Sequence, residues 1–397
     1  MGGSLSNLYD QVSYALSLHS TAMAQLQEQA ATGSRINRVS DDPSTAYRLL
    51  GLKSEDRSLQ NYIDNVSEVI SSCEMTTTVL EGMGSELLEC KKLMTQIAGG
   101  IYGESNRRMI ANSINDHLEQ LVLLANTKQA NQYLFGGTRT TTAPYTVERD
   151  SDGQITAVTY QGSDQRRDID VGPGVKTSTF LVGSDAFASS DRQTPEFLLS
   201  NTGAALGSGT PSVIGDVWLT VTQDGDGHYG LSIDGGATVD LGGVTDLTNV
   251  AVTDPNGRVL YVNAAGLTGT GTDLISVPGT FDLFETLISL RDLLENDASL
   301  TESQLTEVLP KAIDWITEVN ALVVDAETSV GSRTAFLDSL KDRLSNIQAN
   351  AQDDSSLLEQ ADIAQVAIDL SRREVLYQMS LSVAGKLLSL SLLDYLK

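Results

Sequence analysis

Two heptad seams of nearly equal length, far apart in the sequence, constrain this chain more than any other feature. The first runs Leu59, Tyr62, Val66, Val69, Cys73, Thr76, Leu80, Met83, Leu87, Cys90, Met94 and Ile97, alternating steps of three and four without a slip. The second runs Leu309, Ala312, Ile316, Val319, Val323, Ala326, Val330, Arg333, Leu337, Leu340, Leu344, Ile347 and Ala351, and only Arg333 is not apolar. At 1.5 Å per residue they span about 58 and about 64 Å. Such a seam is one helical face that requires a partner. Two of matching length predict an antiparallel rod: the chain goes out, builds something at the far end and returns. Gly99-Gly100 stops the outgoing helix, while Gly82 and Gly84 are costs inside it. Pro310 predicts a kink or a fresh start in the return helix. A third helix, from about 106 to 130, turns Ile110, Ile114, Leu118, Leu121, Leu124 and Ala125 inward, and a shorter one from 281 to 295 completes a bundle.

Between 140 and 280 the pattern changes to Gly, Thr, Ser and Asp with alternating β-branched and aromatic residues. Tyr145–Val147 and Ile155–Tyr160 flank Asp150-Ser-Asp-Gly153, which reads as a hairpin, and Val217–Val221 and Leu231–Ile233 flank another turn. This is a β-rich domain inserted into the rod.

Both chain ends carry weaker or less usual seams. Leu5, Leu8, Val12, Ala15, His19, Ala22 and Leu26 form an alanine-rich face that would fray alone. Leu376, Met379, Val383, Leu387, Leu390 and Leu393 form a leucine-dense one, which exposed would be an apolar stripe in need of cover. The two are natural partners, since both lie at the same end of the rod. His19 on the first seam reads as a packed or hydrogen-bonded residue, because no second ligand stands near it.

The segment from Gly33 to Tyr47 breaks the first helix from the second. Gly33 supplies backbone freedom, Asp42 is an N-cap carboxylate before Pro43 at N1, and Asp41 places negative charge at the helix start, with Arg35 and Arg38 as nearby cations.

Chemistry is thinly signalled. A net charge of −26 argues against nucleic acid or an anionic membrane as partner, and no apolar run is long enough to span a bilayer. The opening residues lack the basic and apolar regions of a signal peptide. Cys73 and Cys90 lie 17 residues apart on one helix, too far to bridge, and read as small buried apolar residues. Gly225-Asp-Gly227-His-Tyr-Gly230 matches a dinucleotide fingerprint, yet no helix follows, so a glycine-rich hairpin turn is the better reading. Asp224-Gly-Asp226 resembles the start of a calcium loop, but residue 235 is Gly where a bidentate Glu is required. None of the three histidines belongs to a zinc-protease motif, and neither a nucleophile elbow nor a Walker A loop is present. With 52 acidic residues, some neighbouring pair is expected and means nothing. No catalytic, cofactor or metal residue is assigned, and no enzymatic activity is expected.

Several blocks carry a family resemblance. Thr32-Gly-Ser-Arg-Ile-Asn-Arg-Val-Ser-Asp-Asp-Pro43 resembles the N-terminal signature shared by bacterial flagellins and flagellar hook-associated proteins. Leu124-Ala-Asn-Thr-Lys-Gln-Ala-Asn-Gln-Tyr-Leu-Phe-Gly-Gly-Thr138, Tyr160-Gln-Gly162 and Asp168-Ile-Asp-Val-Gly-Pro-Gly174 are similar to the hook–filament junction branch of that family. Val330-Gly-Ser-Arg333 with Leu337 resembles its return helix, and Ser391-Leu-Leu-Asp-Tyr-Leu396 its terminal block. The stretch from about 180 to 279 resembles nothing in it, and Met1-Gly2-Gly3 departs from its usual basic and apolar opening.

The resemblance implies a secreted structural subunit of the flagellum, exported unfolded through the type III channel and polymerising through its terminal helices. Implied partners are further copies of itself in a ring, the first hook-associated protein, flagellin, and an export chaperone at the C-terminal region. Flagellin itself is the sibling alternative, and a binding or hydrolytic module carried by the β insert the distant one. The expected fold is α+β, with these parts: 1–40 and 355–397 as coiled-coil helices of an inner domain, 41–139 and 281–354 as rod helices of a middle domain, and 140–280 as an outer β domain. Leu5, Leu8, Val12, Leu26, Leu376, Met379, Val383, Leu387, Leu390 and Leu393 are expected to serve assembly. Gly33, Arg35, Asn37, Asp41, Asp42 and Pro43 are expected to fix the domain-joining turn.

Overall fold

The computed structural model describes the backbone of residues 2–100 and 103–395, and side chains at 7, 10–100 and 103–386. The chain forms two compact units, one of Met1–Asp64 with Leu340–Lys397 and one of Asn65–Ser339.

The first unit is helical. It contains α1 (Gly2–Thr32), the start of α2 (Pro43–Ala98), the end of α6 (Glu302–Glu359) and α7 (Ile363–Tyr395). α1 packs along α7, as the paired terminal seams predicted. The opening turns of α2 run antiparallel to the last turns of α6, marked by Lys53–Glu359 at 3.1 Å, Gln352 donating to Asp56 at 2.7 Å and Gln348 donating to Gln60 at 3.0 Å. Leu49, Leu59, Leu344 and Ala351 are buried here. The seam weakens toward its end: Leu340 is half-buried and Ile347 is 48% exposed, so neither is the core residue that its heptad position suggested.

In the second unit the outgoing seam is as the periodicity predicts. Every seam residue of α2 from Val66 to Ile97 is buried. Burial pushes the Cys90 thiol up to about 12 and raises that of Cys73, so both act as apolar filler. α3 (Glu104–Ala125) and α5 (Leu283–Glu295) pack on each other. Arg107, buried in α3, is neutralised by both carboxylate oxygens of Glu302, at 2.9 and 3.0 Å.

Two helix boundaries differ from expectation. α3 ends at Ala125 rather than near 130, because Asn126 leaves the helix: its side chain donates to the Tyr145 carbonyl and accepts from the Tyr145 amide. A short hairpin follows, β1 (Lys128–Gln129) and β2 (Gln132–Tyr133), with Ala130 and Asn131 both at positive φ. α6 starts at Glu302 and runs through Pro310 without a break. Its true start is a capping box, in which the Thr301 hydroxyl accepts from the Gln304 amide and the Gln304 side chain accepts from the Thr301 amide.

The β-rich part opens with two hairpins, β3 (Tyr145–Arg149) with β4 (Ile155–Tyr160) and β5 (Asp168–Gly172) with β6 (Val175–Ser178). The short α4 (Gly183–Phe187) follows. Then come β7 (Glu196–Leu199), β8 (Ala205–Leu206), β9 (Gly215–Gln223), β10 (Tyr229–Ile233), β11 (Val239–Asp240), β12 (Val250–Thr253), β13 (Val259–Asn263) and β14 (Gly271–Val277). They make an antiparallel five-stranded sheet, β11-β10-β9-β14-β7, and an antiparallel three-stranded one, β12-β13-β8. Val217, Leu219 and Val221 of β9 meet Val250, Val252, Leu260 and Val262 in one apolar cluster, so alternation puts one face of each sheet inside.

Three of the hairpin turns are one device used three times. Asp150-Ser-Asp-Gly-Gln154, Asp224-Gly-Asp-Gly-His228 and Asp254-Pro-Asn-Gly-Arg258 share the pattern Asp-x-Asp/Asn-Gly-x. In each, the first Asp accepts on Oδ1 from the third and fifth amides, and its own amide donates to the fifth carbonyl. The glycine in each sits at φ +83° to +89°, which a side chain would strain. These are the glycine-rich hairpin turns that the sequence predicted at 150–153 and 225–230.

Candidate functional site: the terminal helices and the paired helix breaks

The segment between α1 and α2 is built from its own polar side chains. Gly33, at φ +70°, ends α1. Asp42 N-caps α2, accepting on Oδ1 from the Thr45 amide at 3.1 Å and on Oδ2 from the Thr45 hydroxyl at 2.6 Å, with Pro43 as the first helical residue. These hydrogen bonds hold its carboxyl below the ordinary carboxylate range. Asp41 has a task beyond the helix-start charge that its position suggested. Its Oδ2 accepts from the amides of Asn37 and Arg38, at 3.1 and 2.9 Å, closing the loop upstream. Asn37 ties the loop further, donating to the Ser34 carbonyl and accepting from the Thr32 hydroxyl. Of the two arginines, Arg35 stands 3.7 Å from Asp42, whereas Arg38 turns back to Glu28 on α1 at 3.2 Å.

Sequence reasoning missed the partner of this segment. The return chain also breaks, at residues 360–362 between α6 and α7, and the two breaks are hydrogen-bonded side by side. The Arg35 amide donates to the Glu359 carbonyl at 2.7 Å, the Ala361 amide donates to the Gly33 carbonyl at 2.9 Å, and Ser34 bridges Gln360 antiparallel. Arg35 also donates to the Leu358 carbonyl at 3.4 Å. Asp362 restarts the helix by accepting from the amides of Ala364 and Gln365. Asp362 followed by a helical pattern was the available signal.

Along the paired α1 and α7, Val12 and Leu26 are half-buried. His19, also half-buried, lies 3.3 Å from Arg373 of α7 and is thus a packed, hydrogen-bonded residue. Leu376 is 37% exposed, Met379 61% and Val383 50%, with Val375 and Leu381 also exposed on α7. The side chains of Leu5, Leu8, Leu387, Leu390 and Leu393 lie outside the described residues. Among the described residues, no helix is long and apolar enough to cross a membrane.

Carboxylates with raised values occur elsewhere, and they have structural causes. Asp282 caps α5 by accepting from the amides of Phe284 and Glu285, yet burial pushes it up to about 6. Burial likewise raises Asp216 to about 6, with the Ser289 hydroxyl opposing.

Comparison with known proteins bears on the sequence and the fold. Residues 7–140 match the bacterial flagellin N-terminal helical region. Flagellar hook-associated protein 3 of Escherichia coli is 27% identical over 123 residues, 31% of this chain and 39% of that protein. The flagellar filament 30.7 kDa core protein of Treponema maltophilum is 25% identical over 171 residues, 43% of this chain and 58% of that one. The chain thus spans about a third to three fifths of the length of the curated relatives it matches. A crystal structure of flagellar hook-associated protein 3 from Legionella pneumophila superposes with a TM-score of 0.53 at 17% identity, covering 77% of this chain and 98% of that one. Residues 7–140 thus match the bacterial flagellin N-terminal helical region, in a chain that shares the fold of a flagellar hook-associated protein 3.

Proposed function

We propose that this chain is a structural subunit of the extracellular bacterial flagellum, joining hook to filament, and that it polymerises through α1 and α7. The observation that carries the reading is the exposed apolar face left after those helices pair. Val375, Leu376, Met379 and Val383 fall on one face of α7 and all stand at least 37% exposed. Covering such a stripe on a neighbouring copy stabilises assembly by about 25 cal/mol per Å² of apolar surface removed from water. Both unit-one helix breaks are locked together, so the pair α1/α7 is presented as one element. On this reading 1–40 with 355–397 form the inner domain, 41–139 with 281–354 the middle domain, and 140–280 the outer one. The partners are further copies, the first hook-associated protein, flagellin, and an export chaperone during type III secretion.

Deleting the gene tests it: intact hooks, absent filaments and flagellin shed into the medium are expected. Loss of the major filament antigen itself would instead make the chain a flagellin, a reading favoured by the match to a filament core protein. Normal filaments would refute both. Met379→Asp with Val383→Asp should leave monomer helicity unchanged and abolish incorporation.

A further inference from the structure

One of the three equivalent hairpin turns carries additions that the other two lack. All three place an aspartate whose Oδ1 is consumed by two backbone amides, so the carboxylate of Asp224 is explained by the turn alone. The fifth residue is Gln154 in the first turn and Arg258 in the third, but His228 in the second. The register of β10 against β11, Gly230 opposite Asp240, then brings a second carboxylate to the same spot from another segment. Ligand atoms of Asp224, His228 and Asp240 all lie within 4.8 Å of one another.

We propose that Asp224, His228 and Asp240 form a surface site for a divalent cation of the zinc class. The other oxygen of Asp224, Oδ2, lies 3.7 Å from His228 Nδ1. That is too long for a hydrogen bond, and near the separation of about 3.4 Å that two ligands about 2.0–2.1 Å from one tetrahedral ion adopt. Both carboxylates are oriented from behind, since Asp240 Oδ1 accepts from the Gly242 amide at 2.9 Å just as Asp224 Oδ1 accepts from its turn. Each keeps one oxygen for a ligand, the arrangement in which outer hydrogen bonds hold a metal ligand in place. Gly242 lies against the imidazole: a Cβ there would come within 2.7 Å of Nδ1, so the glycine leaves the ring its place beside the aspartates. One imidazole with two carboxylates suits a borderline metal rather than calcium, which takes six to eight oxygens. The calcium-loop spacing of Asp224 and Asp226 is thus a coincidence of the turn, and Asp240, sixteen positions on, is the ligand that no local motif reveals.

The test is calorimetric titration of zinc chloride into the chelator-stripped full chain at neutral pH. One zinc per chain is expected, with His228→Ala and Asp240→Asn each weakening binding by about tenfold or more. His117→Ala, which removes the histidine paired with Glu86, is expected to leave binding unchanged. Circular dichroism of each variant checks that the sandwich still folds. No uptake at millimolar zinc, uptake insensitive to His228→Ala, or preference for calcium over zinc would each overturn the assignment.

Discussion

Phe284→Ala should separate the two units energetically. Phe284, in α5, is 1% exposed, with its ring 4.7 Å from that of Tyr145 and 6.0 Å from that of Phe187. It therefore joins the β3–β4 hairpin and α4 to the helical layer of the second unit. Truncating a buried phenylalanine costs about 3–5 kcal/mol, the aromatic pairing included. The protein carries its own reporter, because both tryptophans, Trp218 in β9 and Trp315 in α6, fall within Asn65–Ser339. Trp315 is buried and stacks 5.7 Å from Phe281, so its emission follows this unit alone. With a urea dependence of about 3 kcal/mol per molar, a loss of about 4 kcal/mol moves the fluorescence midpoint down by about 1.3 M. Far-ultraviolet circular dichroism also sees α1 and α7, which contain no tryptophan, and any helical transition silent in fluorescence should stay where it was. A fluorescence shift under about 0.3 M would show that the aromatic cluster is not holding the unit together. An equal shift of the fluorescence-silent transition would show that the two units unfold as one.

The second unit should be more stable in mild acid. Asp216 and Asp282 are raised in the folded state to about 6 from an ordinary 3.8, mainly by burial. A folded value above the unfolded one contributes stability that is complete below the unfolded value and is lost as pH rises through the folded one. Together, discounted for partial exposure, this is about 1–3 kcal/mol between pH 4 and 8. Asp282→Asn keeps a competent cap and should flatten the profile, so an unchanged slope would discard the argument. At the paired breaks, Asp41→Ala leaves the Asn37 and Arg38 amides without their acceptor, and Asp42→Ala removes the α2 cap. Each should cost about 1 kcal/mol of local stability, read as faster amide hydrogen exchange at 37–38 and 45 respectively. Unaltered exchange at those amides would show that the carboxylates do not set the turn.

The helices were legible because amphipathic periodicity is a local property. Steps of three and four from Val66 to Ile97 named the buried face of α2 residue by residue, and Asp150-Ser-Asp-Gly153 and the glycine-rich run at 225–230 named two of the tight turns, since aspartate and glycine favour such turns through their own local backbone. Gly33 and Asp42 likewise announced a helix end and a helix start. What stayed hidden depended on residues distant in sequence. Asp41 was read as a helix-dipole charge because its position fits one, and only the folded loop gives it the amides of Asn37 and Arg38. Ile347 keeps its heptad position yet is 48% exposed, because a seam says which face is apolar and not how far a partner covers it. The hydrogen bonds of Arg35 to Glu359 and Ala361 to Gly33 join positions more than three hundred apart, and no window of sequence contains both. The meeting of His228 with Asp240 follows from the register of β10 on β11. The sequence alone determined the elements, their buried faces and their punctuation. The tertiary structure decided which breaks lie side by side and which polar groups share a site, because those contacts form only once the elements have packed.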